Sequence, residues 1–353
     1  MNKRILVAPL YWGLGHATRC IPIINALIEN NFEPIVATDS KALMLLKKEF
    51  PELTHLKLPS YNICYSKKSG FLKFKLLRQI PKLLKTIKIE NNLVNKIIDE
   101  YNISGIISDN RFGVYSSKVP SVYITHQLQV LSGNTTWLTT KIHQTVINKF
   151  DECWIPDYQS DFNLSGSLGH LSHANFKTKL KYIGPLSRFE KKRLDSVYDL
   201  LILLSGPEPQ RTLLEQILIH ELKGFAGKIL LIKGVVEDKQ TKIEQDPFTI
   251  YNYMQTKQLE KAINQSKLVV ARSGYTTILD LTKLHKKAFF IPTPGQFEQE
   301  YLASYLYNLK LAPYCKQEDF NIGKLEEVTQ FKGLEGFENG TEFKDLFCLF
   351  ESK

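Results

Sequence analysis

Short apolar runs alternate with longer segments in which apolar positions recur every three or four residues along most of this chain. Such a pattern is typical of buried strands followed by amphipathic helices. In the first half it predicts strands at 5–8, 34–38 and 54–58 and helices at 19–30 and 41–50. The second half repeats the pattern, with strands at 200–204, 229–232, 268–271 and 288–291 and helices at 210–222, 257–264 and 275–284. Repeated βαβ units predict two doubly wound α/β domains.

The length of the chain supports this division. At 353 residues it exceeds one typical domain. A turn at Tyr182–Leu186 is followed by the charged segment from Arg188 to Arg193, which marks an interdomain connection. We therefore expect an N-terminal domain at 1–186 and a C-terminal domain at 187–353, and leave open that the last helix, near 343–350, crosses back to the first domain.

Composition and charge indicate the cellular compartment of the protein and the kind of partner it binds. The five cysteines are scattered without a CxxC pair, which favours reduced thiols in a cytoplasmic protein over a disulfide framework or a zinc site. The basic N-terminus has too short an apolar run for a signal peptide, and no run has the length of a membrane span. The net charge of +10 favours an anionic partner.

A glycine loop follows the first predicted strand and carries Gly13, Gly15 and His16. It is a weak match to a dinucleotide-binding loop, in which Asp39 would be the ribose carboxylate, because Thr18 occupies the third glycine position. His16 is the stronger signal, since a histidine titrates near neutral pH and suits a general base. The alternative is a capping or packing histidine.

Polar residues also stand where other strands end. In the first half these are Asp109, His126 and Gln127. In the second half Ser205-Gly206 and Arg272-Ser273-Gly274 each end an apolar run and precede a helix. Strand ends of a parallel sheet are where ligands bind, and the free amides of a helix start favour phosphate. Two ordinary βα units remain the alternative.

The segment from Lys67 to Lys88 interleaves basic and apolar residues at roughly helical spacing. This favours an interfacial helix on an anionic membrane, with a solvated charged face as the equal alternative. Pro81 predicts two short helices instead of one. No recognition fold accompanies the basic residues, so we do not expect nucleic acid as a partner.

Several stretches of the chain resemble GT-B glycosyltransferases, and in particular the MurG-like UDP-N-acetylglucosamine transferase family of bacteria. They read WGLGHATR at 12–19, THQLQ at 125–129, YIGPLSR at 182–188, RSGYTTILDL at 272–281 and PTPGQFEQEYLA at 292–303. The resemblance implies two Rossmann-like domains that face each other across a cleft. It implies an inverting, metal-independent transfer of a sugar from UDP to an acceptor hydroxyl, in cell-envelope glycan or glycolipid synthesis.

The resemblance also assigns roles to residues of the C-terminal half. Backbone amides of Ser205-Gly206 and Ser273-Gly274 would bind the diphosphate, and Arg188 would add charge. Asp280 would bind the ribose, Gln299 and Glu300 the sugar hydroxyls, and the backbone near Met254 the uracil. Arg272 falls at the family's spacing. Glu300 stands where the family tends to have a glutamine, which leaves the identity of the donor sugar open. The resemblance implies N-acetylglucosamine or a related hexose as the donor. No cofactor or metal is expected.

On the acceptor side, the resemblance matches His16 to the histidine of the family's glycine loop. His126-Gln127 stands where MurG-like enzymes have an acidic residue, which leaves the acceptor open, including a lipid-linked one. We expect His16 to be the base, with Asp109 orienting or replacing it. The implied location is cytoplasmic, with a peripheral site on the membrane. The alternatives are a UDP-N-acetylglucosamine 2-epimerase and a non-catalytic nucleotide-sugar-binding protein.

Overall fold

The computed structural model describes residues 2–61, 72–171, 176–235, 237–337 and 342–351, with the side chains of the helix that begins at residue 72 described from residue 81 onward. The chain forms two compact units. The first comprises Met1–Gln159, Ser167–Leu186 and Asn339–Lys353, and the second comprises Ser160–Gly166 and Ser187–Glu338. The segment 160–166 belongs to the second unit because Phe162 stacks on Phe337 and Tyr305 donates a hydrogen bond to Asn163.

The first unit is built on one seven-stranded sheet. Its strands are β1 (Arg4–Pro9), β2 (Glu33–Thr38), β3 (Thr54–Lys57), β4 (Ile103–Asp109), β5 (Ser121–Ile124), β6 (Glu152–Ile155) and β7 (Lys179–Tyr182). Its helices include α1 (Gly15–Glu29), α2 (Ser40–Glu49), α3 (Leu72–Tyr101) and α4 (Thr136–Ile147). The strand order is β3-β2-β1-β4-β5-β6-β7, and every described pairing is parallel. This is the doubly wound order, whose direction reverses between β1 and β4.

The second unit repeats the arrangement. Its strands are β8 (Tyr198–Leu203), β9 (Ile229–Ile232), β10 (Lys242–Gln245), β11 (Phe248–Tyr251), β12 (Ser266–Ala271) and β13 (Lys287–Phe290). Its helices include α5 (Gln210–Glu221), α6 (Thr256–Asn264), α7 (Tyr275–Lys283) and α8 (Phe297–Asn308). The order is β10-β11-β9-β8-β12-β13, parallel except for β10, which pairs antiparallel with β11. Here the direction reverses between β8 and β12, so the predicted pair of α/β sheets is confirmed.

A last helix, α9 (Phe343–Glu351), packs in the first unit. Its Phe347 and Phe350 are buried and contact Phe32 edge to face. A side chain at Gly105 of β4 would overlap the ring of Phe350, so the close approach of α9 to the sheet depends on that glycine.

Two predicted helix boundaries were wrong. Helix α1 begins at Gly15 instead of Arg19, because the amide of Thr18 already closes a turn on the carbonyl of Leu14 at 2.9 Å. Helix α3 runs from Leu72 to Tyr101 through Pro81, where two helices were expected. A proline removes one backbone donor, and in α3 this does not end the helix, just as Pro22 does not end α1.

Two strands were missed by the pattern. The residues of β10 read KIEQ and are all exposed, and those of β7 read KLKY without a buried run. Both lie at sheet edges, where one neighbour is absent and charged side chains are common. A search for apolar runs therefore cannot find them.

Candidate active site

The end of β4 places a buried carboxylate at the strand-order reversal of the first sheet. Asp109 is 0% exposed, and the first two turns of α1 bring the imidazole of His16 and the guanidinium of Arg19 to it. Nδ1 of His16 lies 2.8 Å from its Oδ1, and Nε of Arg19 donates to its Oδ2 at 2.5 Å. Nη2 of Arg19 also donates to Oδ1. Helical spacing explains the geometry, because residues three apart lie on one face.

These contacts decide the protonation state of Asp109. Burial alone would raise its pKa, but the guanidinium of Arg19 and the ring of His16 outweigh burial and hold the pKa well below the ordinary 3.8. A carboxylate so stabilised is a poor proton acceptor near neutral pH. Of the two roles left open by the sequence, the geometry of Asp109 suits orienting His16 better than replacing it.

His16 has the arrangement of an oriented general base. Its side chain is 15% exposed, and among the described residues its hydrogen-bond partners are all at Nδ1. If Nδ1 carries the proton donated to Asp109, Nη2 of Arg19 does not donate to Nδ1, and the lone pair is on Nε2, where it can accept a proton from a ligand. His16 is therefore oriented by Asp109 and partly accessible.

The other predicted acceptor-side residues are in the loops after β1 and β5 and at the start of α1. Gly13 has φ +95°, a left-handed conformation suited to glycine, with open space where a side chain would be. Gly15 is the first residue of α1. His126 is buried, with Nδ1 3.3 Å from Nη1 of Arg19, and the amide of Gln127 donates to Thr125 at 3.1 Å.

Asp39 is not available as the ribose-binding carboxylate of a dinucleotide site. It is buried, and its Oδ1 accepts a 2.8 Å hydrogen bond from Nη1 of Arg111. Nε of Arg111 also donates to Glu90 at 2.6 Å, and Glu90 accepts from Tyr61. Burial opposes the charge of Arg111, but Glu90 and its neighbours raise its pKa, so the ion pairs persist. Asp39 is thus part of an internal network.

In the second unit, the turn after β8 and the turn after β13 approach each other. Gly206 has φ +101°, and a side chain there would lie 3.9 Å from Oγ1 of Thr293. Ser205 is exposed beside it. The hydroxyl of Thr293 is buried and has no hydrogen-bond partner among the described residues. A buried hydroxyl without a partner costs free energy, and a ligand oxygen would offset that cost.

Helix α7 begins directly after β12, at the same reversal point. Gly274 is its N-cap, and within the described residues no side chain caps its first amides. Such amides bind anions, since they point outward at the positive end of the helix. Ser273 is buried, and its hydroxyl donates to the carbonyl of Gln299 at 2.8 Å, which fixes the turn.

Arg272 lies in the interior of the second unit. It is 1% exposed and donates to the carbonyls of Ile291 and Pro292 at 3.0 Å, to the carbonyl of Gln210 at 2.9 Å and to Gln317 at 2.6 Å. Burial lowers its pKa to about 10, which leaves it charged at neutral pH. These contacts connect the turn after β12 to the turn after β13 and to the start of α5. Arg272 therefore stabilises the backbone around the site from the protein interior.

Gln299 and Glu300 also hold the turn after β13. Oε1 of Gln299 accepts from the amide of Thr293 at 2.8 Å, and the residue is buried. Oε1 of Glu300 accepts from the amide of Gly295 at 2.9 Å, but Glu300 is exposed. Of the two, Glu300 has the more accessible side chain.

Asp280 lies on α7 beside the start of the second unit. Its Oδ1 accepts a 2.6 Å hydrogen bond from the hydroxyl of Ser187. Burial of the carboxyl raises its pKa to about 6, against the opposing effects of Arg188 and Ser187. Arg188 donates to Thr256 at 2.9 Å, and Met254, in the loop before α6, is half-buried.

Sequence reasoning missed two residues of these sites. Arg19 was taken for the first residue of a helix, although its place in GHATR, three residues after the histidine, was a usable signal once α1 is known to begin at Gly15. Thr293 was passed over because a threonine between two prolines carries no motif. No cluster of three or more potential metal-ligating side chains occurs in the described part of the chain.

A known protein family matches part of the second unit. Residues 203–335 match the Glycosyltransferase family 28 C-terminal domain. That span contains β9 to β13 and α5 to α8, which includes the turns around Gly206, Gly274 and Thr293. The matched residues all belong to the second unit.

The chain is also similar to a curated protein. The chain is 22% identical over 213 residues to the UDP-N-acetylglucosamine--N-acetylmuramyl-(pentapeptide) pyrophosphoryl-undecaprenol N-acetylglucosamine transferase of Haemophilus ducreyi, a match that covers 59% of this chain and 56% of the relative. The chain therefore spans little more than half the length of that relative.

Among solved structures, Acinetobacter baumannii MurG has a TM-score of 0.61 at 10% identity, over 99% of this chain and 100% of that chain. LpCGTa in complex with UDP has a TM-score of 0.62 at 10% identity, over 100% of both. At such identities the likeness establishes the fold, which is the GT-B fold of two Rossmann-like domains.

Proposed function

We propose that the protein is an inverting glycosyltransferase that moves a sugar from a UDP-sugar to an acceptor hydroxyl without a metal ion. The observation that carries the proposal is the His16–Asp109 pair, in which a buried carboxylate orients a partly accessible imidazole. The family 28 domain in the second unit supports the same reaction.

The donor is proposed to bind at the strand-end turns of the second unit. The amides of Gly206 and of the start of α7 would bind the diphosphate, and the hydroxyl of Thr293 would add a hydrogen bond. Asp280 would bind the ribose and the backbone near Met254 the uracil. The curated relative uses UDP-N-acetylglucosamine, which makes that sugar or a related hexose the first donor to test.

The chemistry needs one proton transfer and one displacement. Nε2 of His16 takes the proton of the acceptor hydroxyl as its oxygen bonds to the anomeric carbon. The bond from that carbon to the diphosphate oxygen breaks on the opposite face, so the anomeric configuration inverts and UDP leaves with the electron pair. Asp109 stabilises the imidazolium, while amides and hydroxyls stabilise the charge on UDP.

The acceptor is proposed to belong to cell-envelope glycan or glycolipid synthesis, at the cytoplasmic face of a membrane. The exposed side of α3 supports this, since Lys82, Lys85 and Lys88 lie there with the exposed Leu84 and Ile89. Residues 67–71 of the basic segment lie outside the described residues. Within the described residues, no helix has the length and apolarity of a membrane span.

Calorimetric titration of UDP, with EDTA or with magnesium, tests the donor assignment. We expect equal affinity in both, and binding only with the metal would contradict it. Release of UDP from UDP-N-acetylglucosamine, UDP-glucose and UDP-galactose, with acceptors added in turn, then tests the reaction. A free 2-epimer would identify an epimerase instead, and binding of donor without any turnover would identify a binding protein.

A further inference from the structure

The carboxylate of Glu208 is held at the start of helix α5, in the segment that follows β8. Its Oε2 accepts a hydrogen bond from the hydroxyl of Thr212 at 2.8 Å and from the amide of Thr212 at 3.3 Å. Its Oε1 accepts a hydrogen bond from Nη2 of Arg211. A hydroxyl, a backbone amide and a guanidinium therefore converge on one anion. The same groups bind phosphate oxygens in proteins.

The guanidinium of Arg211 has further contacts that do not depend on Glu208. Its Nη1 donates a hydrogen bond to the carbonyl of Lys233 at 3.2 Å and lies 3.9 Å from Oε2 of Glu215. The side chain of Arg211 is 13% exposed, whereas that of Glu208 is 51% exposed. An ion pair with an exposed partner contributes little to stability, so a phosphate group can replace the carboxylate while the cation stays in place.

A further hydrogen-bonding group without a partner lies beside the same segment. Gly206 comes two residues before Glu208, a span of at most about 7 Å. Oγ1 of Thr293 lies 3.9 Å from the position that a side chain at Gly206 would occupy. Thr293 is 6% exposed, and its hydroxyl has no hydrogen-bond partner among the described residues. The space above Gly206 therefore offers a hydrogen bond to a ligand oxygen, in the same turn as the donors that Glu208 occupies.

We propose that Arg211 and Thr212 form a phosphate subsite of the donor site and that Glu208 occupies this subsite in the free protein. When the diphosphate binds, the Glu208 carboxylate leaves, and a phosphate group accepts the hydrogen bonds from Arg211 and Thr212. Glu208 is thus an internal competitor, which lowers the affinity for the donor and for the product UDP. This inference rests on the proposed donor site at Gly206 and adds a cation and a competing anion to it.

Calorimetric titration of the full chain with UDP and, separately, with inorganic pyrophosphate tests the proposal. Glu208→Gln keeps the shape of the side chain and loses the charge, so both affinities should rise by about twofold to fivefold, the factor that corresponds to an exposed ion pair. Arg211→Gln should lower both affinities by about tenfold or more, because a charge-assisted hydrogen bond is lost. An unchanged or lower affinity in Glu208→Gln would overturn the proposal and leave Glu208 as a cap of α5.

Glu221→Gln is the matched control, because it removes one carboxylate from the other end of the same helix. Its affinities should stay near those of the wild type. A rise as large as that of Glu208→Gln would assign the effect to net charge and overturn the proposal. If Arg211→Gln does not fold, Thr212→Val removes the hydroxyl and should lower both affinities by about fivefold. Wild-type affinities in Thr212→Val would contradict the subsite.

The two ligands separate this proposal from the proposed function. If pyrophosphate binds with the expected changes and UDP does not bind, the subsite is supported and the UDP-sugar donor is refuted. If UDP binds and none of the variants changes its affinity, the subsite is refuted and the donor assignment stands. If neither ligand binds to the wild type or to Glu208→Gln, both are refuted.

Discussion

The hydroxyl of Ser187 donates a 2.6 Å hydrogen bond to Oδ1 of Asp280, and this contact joins the start of the segment Ser187–Glu338 of the second unit to helix α7. Among the described residues, no second hydrogen bond to the Asp280 carboxylate is found. Oδ2 is therefore able to accept a hydrogen bond from a ligand. The pKa of about 6 shows that burial of this carboxyl outweighs the stabilisation by Arg188 and Ser187. A ribose hydroxyl would donate the hydrogen bond that the free protein lacks.

Asp280→Asn should weaken UDP binding and stabilise the free protein. The carboxyl binds its proton more tightly when folded than at its ordinary 3.8, so its stabilising contribution is present at low pH and is lost as the pH rises toward about 6. Ionisation therefore costs at most about 3 kcal/mol at neutral pH. Urea unfolding at pH 7 should show the variant to be more stable, with the difference fading near pH 4.

Asp199→Asn is the control for this experiment, because Lys267 lies 2.7 Å from Asp199 and a hydrogen bond from that lysine lowers the pKa of its carboxyl. It should not gain stability at pH 7. UDP titration should show a loss of affinity of about tenfold or more for Asp280→Asn, as expected when a hydroxyl–carboxylate hydrogen bond is lost. An affinity equal to that of the wild type would remove Asp280 from the ribose site.

Thr293→Val should lower UDP affinity without harming the fold. The variant removes a buried hydroxyl that has no partner among the described residues, so the free energy of unfolding should stay the same or rise. A hydrogen bond to a phosphate oxygen would be lost, which corresponds to about tenfold in affinity. Calorimetry with UDP measures the effect, and Thr293→Ser, which keeps the hydroxyl, should bind like the wild type. Equal affinities in all three proteins would place the diphosphate elsewhere.

Much of the fold could be predicted because it depends on runs of buried residues. The strands at 229–232 and 268–271 were found because parallel strands covered on both faces are continuously apolar. Strand β10 was missed because an exposed edge strand needs no apolar side chains. The ends of α1 and α3 were misjudged at Gly15 and Pro81, where backbone hydrogen bonding, not side-chain pattern, decides the boundary.

The candidate site was predictable where a motif marks a strand end and unpredictable where tertiary contacts decide. His16 and Asp109 were both expected, but the sequence left open whether Asp109 orients His16, as the 2.8 Å contact between them favours, or replaces it. Their separation depends on the adjacency of β1 and β4, whose pairing aligns Pro9 with Asp109. The sequence also did not predict that Arg272 donates hydrogen bonds to four buried oxygens. A motif does not reveal whether its arginine points into the protein or toward a ligand.

Arg272→Met should destabilise the second unit. Removal of the guanidinium leaves the carbonyls of Ile291, Pro292 and Gln210 without this donor. Each buried acceptor without a partner costs about 1–3 kcal/mol, so the free energy of unfolding should fall by about 3 kcal/mol or more. Urea unfolding measures it, with Arg4→Met, at the surface ion pair with Glu33, as a control expected to lose about 1 kcal/mol or less. A stable Arg272→Met protein with weak UDP binding would instead favour direct contact with the donor.

The exposed basic face of α3 should bind anionic bilayers. Vesicle sedimentation should show binding to vesicles with anionic lipid and none to neutral ones, lost at high salt, since each basic residue contributes about 1 kcal/mol and is screened. The triple change of Lys82, Lys85 and Lys88 to Glu should abolish it. The same change at Lys41, Lys47 and Lys48, which are exposed on α2 of the same unit, should weaken it less. If both triple variants lost vesicle binding equally, the binding would depend on the net charge of the protein and not on the basic face of α3.

His16→Ala should separate catalysis from donor binding. General-base assistance is worth about 10²–10⁴ in rate, so turnover should fall by that factor. Affinity for UDP should stay near that of the wild type, because the proposed donor residues belong to the other unit. Turnover is measured as UDP release at saturating donor, and the affinity by calorimetry.

Asp109→Asn provides the comparison, since it keeps the shape of the side chain but loses the charge that pairs with His16 and Arg19. If Asp109 orients the base, this variant should lose less turnover than His16→Ala, and the double variant should be no slower than His16→Ala alone, because effects within one unit are not additive. A His16→Ala enzyme with wild-type turnover and an inactive Asp109→Asn enzyme would reverse the roles. That outcome would require Asp109 to accept a proton despite its lowered pKa, and therefore a rearrangement of Arg19 when the substrate binds.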